Sequence, residues 1–144
     1  TIMKDVEVTR EELEHRGYHV IIIQPDQVTL KEKNGIYGFY VLIPNNMARR
    51  VTQLINNYTF HKSDILFGNN NTLAVFLVAL KDEGSKVALL YPVYYHLREE
   101  GEIRRMAEYG YTTLYTMFRT LSGEIVAVVN IGKYQRFLAS LHMC

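Results

Sequence analysis

Residues 73–95, LAVFLVAL-KDEG-SKVALLYPVYY, set two long apolar runs on either side of a short polar turn. The run 73–80 does not alternate between apolar and polar residues, as expected of a strand covered on both faces. Val75 and Val78, with turn residues close by, favour strand over buried helix. The two arms therefore read as a hairpin at the centre of the core. Pro92 cannot donate to a ladder, so the second arm is expected to bulge there or to lie at an edge.

The rest of the chain punctuates itself. Thr9 and Glu12 form a T-x-x-E capping box and Gly17 stands at a helix stop, predicting a first helix over 9–16. YHVIII is a β-branched run ending at Pro25-Asp26, which is turn chemistry. QVTLKEK and IYGFYVLI are joined by Asn34-Gly35, which supplies the positive φ angles of a two-residue type I′ turn. Pro44-Asn45-Asn46 caps a helix over 46–57, with Met47, Val51, Leu54 and Ile55 on one face and Arg49, Arg50, Gln53 and Asn56 facing away. Gly68-Asn69-Asn70-Asn71 reads as a loop. Residues 96–108 read as a charged helix ended by Gly110, and its Arg98–Glu102, Glu100–Arg104 and Arg104–Glu108 pairs mark a solvated face. TTLYTMFRTL and EIVAVVNI pair across Ser122-Gly123, and a last helix is expected over 132–142. The order α-βββ-α-ββ-α-ββ-α predicts a single α+β domain over 1–144, a largely antiparallel sheet built from successive hairpins with helices packed against it.

Composition narrows the classes. At 144 residues, with 48% hydrophobic and 22% charged, the chain can bury a core without staples. Its one cysteine, Cys144, is the last residue, which excludes an internal disulfide framework and fits a reducing, intracellular setting. No apolar run is long enough to span a bilayer and no signal-peptide pattern is visible, so no membrane is expected. A net charge of +1 argues against indiscriminate polyanion binding but permits an asymmetric surface. H-E-x-x-H, the P-loop, G-x-G-x-x-G and G-x-S-x-G are all missing, which disfavours P-loop hydrolysis and dinucleotide-dependent hydride transfer.

Two groups of residues remain. The central turn gathers Asp82 and Glu83, with Lys81 beside them and Lys86 beyond Gly84. Carboxylate oxygens suit Mg²⁺ or Mn²⁺, a lysine can stabilise charge on a transferring phosphoryl group, and Asp64 is a candidate third carboxylate. Metal nucleases often carry D…E-x-K on adjacent strands. Here the spacing is E-x-x-K, and the residues sit in a turn. The competing role is hairpin chemistry, with Gly84 in the left-handed conformation. The second group lies between Glu32 and Asp64, where no acid occurs: Lys33, Arg49, Arg50 and Lys62 interleave with Tyr37, Phe39, Tyr40, Tyr58, Phe60 and His61. Phosphate contact and base stacking need such residues, although strand aromatics also fill cores. A further acid-free stretch, 125–144, adds Lys133 and Arg136.

With its small size, terminal cysteine, clustered asparagines (NGIYGFYVLIPNN, GNNN) and abundant tyrosine and isoleucine, the chain resembles a small α+β nuclease of archaeal filamentous viruses, in which a glutamate is needed for DNA cleavage. The resemblance implies that Glu83 in KDEGSK matches that glutamate and that the protein acts in a host cytoplasm. The first expectation is a metal-dependent nuclease. Glu83 with Asp82 or Asp64 would hold Mg²⁺ or Mn²⁺, and Lys86 would face the phosphate. Arg49, Arg50, Lys62 and Lys33 would hold nucleic acid, DNA ahead of RNA. The second is a non-catalytic module binding nucleic acid, or a protein partner through a sheet edge, with a homodimer as one form. A small-ligand sensor rests on fold analogy alone.

Overall fold

The apolar arms do form the central hairpin. In the computed structural model, which describes residues 2–143, they are β5 (Leu73–Asp82) and β6 (Val87–His96), paired antiparallel from Leu73↔His96 to Asp82↔Val87. Two further strands, β1 (His19–Ile22) parallel to β6 and β4 (Lys62–Asn70) antiparallel to β5, complete a first sheet of order β1-β6-β5-β4. A second sheet has the order β2-β3-β7-β8: β2 (Gln27–Lys33), β3 (Ile36–Leu42), β7 (Thr113–Arg119) and β8 (Ile125–Lys133). Its β3–β7 pairing is parallel and the other two are antiparallel. With α1 (Ile2–His15), α2 (Asn45–Asn57) and α3 (Glu100–Glu108), the fold is α+β as expected, its mainly antiparallel strands divided between two sheets and β4 added to the expected order after α2. Among the described residues no helix is long and apolar enough to cross a membrane.

Coverage follows strand parity. Leu77, Ala79, Ala88 and Leu90 meet Val6 and Leu13 of α1 on one face of the first sheet. Phe76, Val78, Leu80, Leu89, Tyr91 and Val93 point the other way, into a core shared with Phe39, Val41, Phe118 and Ile131 of the second sheet. The central strands are thus covered twice, which is why 73–80 lacks alternation. Between the sheets the Tyr91 hydroxyl and Thr116 Oγ1 lie 2.7 Å apart, both side chains fully buried. Helix α2 packs along β8 and sends Val51 and Leu54 into the same core. The face of the second sheet turned away from the core exposes Thr29, Lys31, Val128 and Asn130.

Several local expectations shift. Asn34 (φ 55°) and Gly35 (φ 82°) are both left-handed, as a type I′ turn requires. In the central turn the left-handed residue is Lys86 (φ 56°), not Gly84. The first helix starts well before Thr9, because Val6 lies two turns before Leu13 on the same face and buries with it. It ends as expected over the left-handed Gly17, where Tyr18 N–H donates to Leu13 O (3.0 Å). Residues 68–70, read as loop, close the edge strand β4, whose inward Ile65 and Phe67 alternate with Asp64 and Leu66. The loop shrinks to a turn in which Asn70 Oδ1 accepts from Thr72 and Leu73 N–H. The expected helix over 132–142 is instead the end of β8 followed by two 3-10 turns, Tyr134–Phe137 and Ala139–Leu141. Tyr95 takes the backbone groups a helix would use: its hydroxyl donates to Phe137 O (2.5 Å) and accepts from Ala139 N–H (3.2 Å). Pro92 causes no bulge against β5. It stands where the parallel ladder to β1 would need its next donor after Ile23 N–H bonds Leu90 O, and that ladder stops there. Cys144 lies outside the described residues.

Candidate functional site

The acids of the central turn are held by the protein itself. Asp82 ends β5, and its carboxylate accepts from Ser85 N–H (3.1 Å) within the turn and from Thr59 N–H (2.9 Å) in the α2–β4 connection. Those backbone bonds, Ser85 first and Thr59 next, hold its pKa below the ordinary carboxylate value. Asp82 therefore fastens the turn and the connection together. Glu83 Oε1 lies 3.1 Å from Lys62 Nζ and 3.4 Å from His61 Nε2, and the Lys62 hydrogen bond leads in lowering its pKa. His61 Nδ1 faces Thr59 O at 3.0 Å, which fixes the ring orientation. Asp64 pairs with Lys81 (2.5 Å) across β4 and β5. Lys86 leans the other way, with Nζ 4.7 Å from the Tyr18 ring centroid.

A divalent cation needs several oxygen ligands converging on one point. Here Asp82 faces backbone N–H groups, while Glu83 and Asp64 face different cations, and among the described residues no three His, Cys, Asp or Glu side chains gather as a metal-ligating set.

The residues expected to hold nucleic acid are divided. Lys62 is spent on Glu83. Arg49 and Arg50 are exposed on α2. Helix α2 ends at Asn57, so Arg50 lies about 10 Å along the axis before the end that reaches the Asp82 turn. Lys33 belongs to the outer face of the second sheet, whereas Lys62 and Lys81 lie on the α1 side of the first, so the two-sheet core separates them.

Lys33 leads to a cluster that sequence reasoning missed. The β2–β3 register sets Thr29 opposite Tyr40 and Lys31 opposite Gly38, making the lysines diagonal neighbours of the Tyr40 ring. The parallel β3–β7 register sets Met117 beside Tyr40 and Arg119 beside Leu42, bringing a third cation from the other side. Arg119 Cζ, Lys31 Nζ and Lys33 Nζ lie 4.6, 4.8 and 5.4 Å from the Tyr40 ring centroid. Lys33 Nζ also donates to the Tyr40 hydroxyl (3.4 Å), which donates to Gly123 O (3.2 Å). Among the described residues none of the three cations pairs with a carboxylate. Glu32, between the lysines in sequence, points to the opposite face and accepts from Gly35 N–H and the Tyr111 hydroxyl. Gly38 is part of this construction. Gly38 pairs with Tyr115 across β3 and β7, and an added Cβ would come within 1.9 Å of Tyr115 O.

The arrangement gathers three cations around one aromatic ring, none of them in an ion pair among the described residues, which is chemistry suited to an anion. The chain belongs to a family of unknown function (DUF7529), whose profile matches residues 1–139. Comparison with curated proteins gave no match.

Proposed function

We propose that this family member is a non-catalytic nucleic-acid-binding module that contacts phosphates through the outer face of its second sheet. The observation that carries the reading is the trio Lys31, Lys33 and Arg119 around Tyr40, none of them ion-paired to a carboxylate among the described residues. Arg49 and Arg50 support it, since α2 packs along β8, the far edge of the same sheet, and would extend the positive surface. Metal-dependent cleavage at Asp82, Glu83 and Asp64 would first require those groups to release their present partners.

The test is oligonucleotide binding by fluorescence anisotropy between 50 and 200 mM salt. Each neutralised phosphate contributes a slope of about 0.7 on a single strand and about 0.9 on duplex in log affinity against log salt. The triple variant Lys31→Ala/Lys33→Ala/Arg119→Ala should flatten that slope by roughly two to three. A slope unchanged by the triple variant would remove this face from the interface. Incubation with linear DNA and Mg²⁺ should give no cleavage. Cleavage that disappears in Glu83→Ala would overturn the non-catalytic reading.

A further inference from the structure

We infer that the Tyr40 cluster is a seat for one terminal phosphomonoester of a nucleic-acid strand, an assignment that rests on the binding role proposed above. The cations converge instead of lining a track: all three charged groups lie within 5.4 Å of one ring centroid, two from β2 and one from β7. A phosphodiester brings a single negative charge, while a phosphomonoester brings about −1.5 to −2 at pH 7. A convergent trio matches the second in charge and in shape.

The side chains divide the work as phosphate recognition requires. The Arg119 guanidinium is a planar fork able to grip two oxygens at once, and the lysines are point charges that follow the third. Arg119 is underused by the protein. Its Nη2 has one acceptor, Gln27 Oε1, at 3.5 Å, and its Nε is buried without any hydrogen-bond partner. Neither lysine is in an ion pair among the described residues. Tyr40 itself is buried and anchored through Gly123 O, so it holds the cations in place and leaves their outer side to the ligand. Two acids flank the trio by backbone register: Asp26, whose N–H donates to Leu42 O beside Arg119, and Glu124, whose carbonyl oxygen accepts from Thr120 N–H. Among the described residues neither makes an ion pair with the three cations.

The experiment compares one oligonucleotide sequence with a 5′-phosphate, a 3′-phosphate or hydroxyl ends, by anisotropy at pH 7.5 and pH 5.5, with a nucleoside 5′-monophosphate as competitor. A phosphorylated end should bind about tenfold tighter at pH 7.5, the size of one charge-assisted contact. The advantage should shrink at pH 5.5, below the second phosphate ionisation near about 6, where the hydroxyl-ended strand serves as control. Arg119→Ala and Lys31→Ala should abolish the advantage while keeping residual salt-dependent binding, and Arg119→Lys should restore part of it. The monophosphate should displace the phosphorylated end ahead of the hydroxyl-ended strand. Equal affinity for phosphate and hydroxyl ends, with salt-dependent binding intact, would overturn the terminal-phosphate seat and leave the binding role standing. Failure of every strand to bind would overturn both.

Discussion

Replacing Tyr40 by leucine tests whether the ring organises the cations or merely lies beneath them. At a surface site one cation–π contact contributes about 0.5–1 kcal/mol. Three such contacts set an upper bound of about 1.5–3 kcal/mol, because the cations repel one another and share one ring. Leucine also loses buried phenol surface and the bond to Gly123 O, so the total change cannot isolate the effect. A double-mutant cycle of Tyr40→Leu with Arg119→Met does, since burial cancels between its arms. Urea unfolding followed by circular dichroism should give a coupling of about 0.5–1 kcal/mol, largest for Arg119, whose guanidinium is nearest the ring at 4.6 Å and weakly hydrated. Tyr40→Phe keeps the ring and loses the hydroxyl bonds at 3.2 and 3.4 Å, so it should cost about 1 kcal/mol with the Arg119 coupling intact. Oligonucleotide binding supplies the functional reading. Tyr40→Leu retains every charge, so the salt slope should hold while affinity falls roughly three- to tenfold through lost preorganisation. A coupling below about 0.2 kcal/mol, together with unchanged affinity, would refute the idea that the ring builds the site.

Thr116→Val should cost about 1–3 kcal/mol by stranding the fully buried Tyr91 hydroxyl, and Tyr91→Phe added to it should recover most of that loss; additive losses in chemical denaturation would refute the inter-sheet bond. Burial, against a smaller effect of the Thr116 bond, keeps the Tyr91 hydroxyl protonated far above the usual tyrosine range. The unfolded chain therefore releases that proton first, so stability is fully present below about pH 10 and falls above it by up to about 1.4 kcal/mol per pH unit. Tyr91→Phe should make the alkaline limb shallower, and an identical limb would contradict the assignment. Asp82 has the opposite sign: its lowered pKa stabilises the fold above the unfolded-state value, and that contribution disappears as pH falls through the folded value. Asp82→Asn should therefore weaken the acid dependence of the melting temperature, and a limb as steep as wild type would count against its capping role. Gly38→Ala should destabilise by about 3 kcal/mol, at the upper end of overpacking, because its Cβ would meet Tyr115 O at 1.9 Å. A melting temperature within about 2 °C of wild type would show that β3 and β7 do not approach so closely.

What could be read of the fold from the sequence was what local chemistry dictates. Asn34-Gly35 specified its own turn, and Gly17 its helix stop. The unbroken apolar run in β5 announced burial on two faces before any partner was known. What escaped depended on distant partners. Tyr95 takes backbone groups of Phe137 and Ala139 that a helix over 134–141 would use, and it lies 42 and 44 residues before them. Helix α1 extends toward the N-terminus because the first sheet offers Val6 a surface. The capping box at Thr9 encodes no such information.

The site follows the same division, and one missed strand explains most of it. The two-residue turn at Asn34-Gly35 already fixes Thr29 opposite Tyr40, so Lys31 and Lys33 beside that ring could have been derived from alternation alone. Arg119 could not, because its neighbour in space is set by a parallel pairing across α2, three strands and α3. The KDEG turn is the converse case. Counting charges along the chain finds Asp82, Glu83 and the nearby lysines and leaves out the groups that satisfy them. Those groups are Thr59, His61, Lys62 and Asp64, and the pairing of β4 with β5 brings Lys62 opposite Lys81, within reach of Glu83. Without β4, Glu83 looked like a free acid and Lys62 like a free cation, so one compensated pair was counted twice, as a catalytic group and as a phosphate contact. With β4 in place, Glu83, Lys62, Asp64 and Lys81 are paired with one another, whereas Lys31, Lys33 and Arg119 converge on Tyr40 without an ion pair among the described residues.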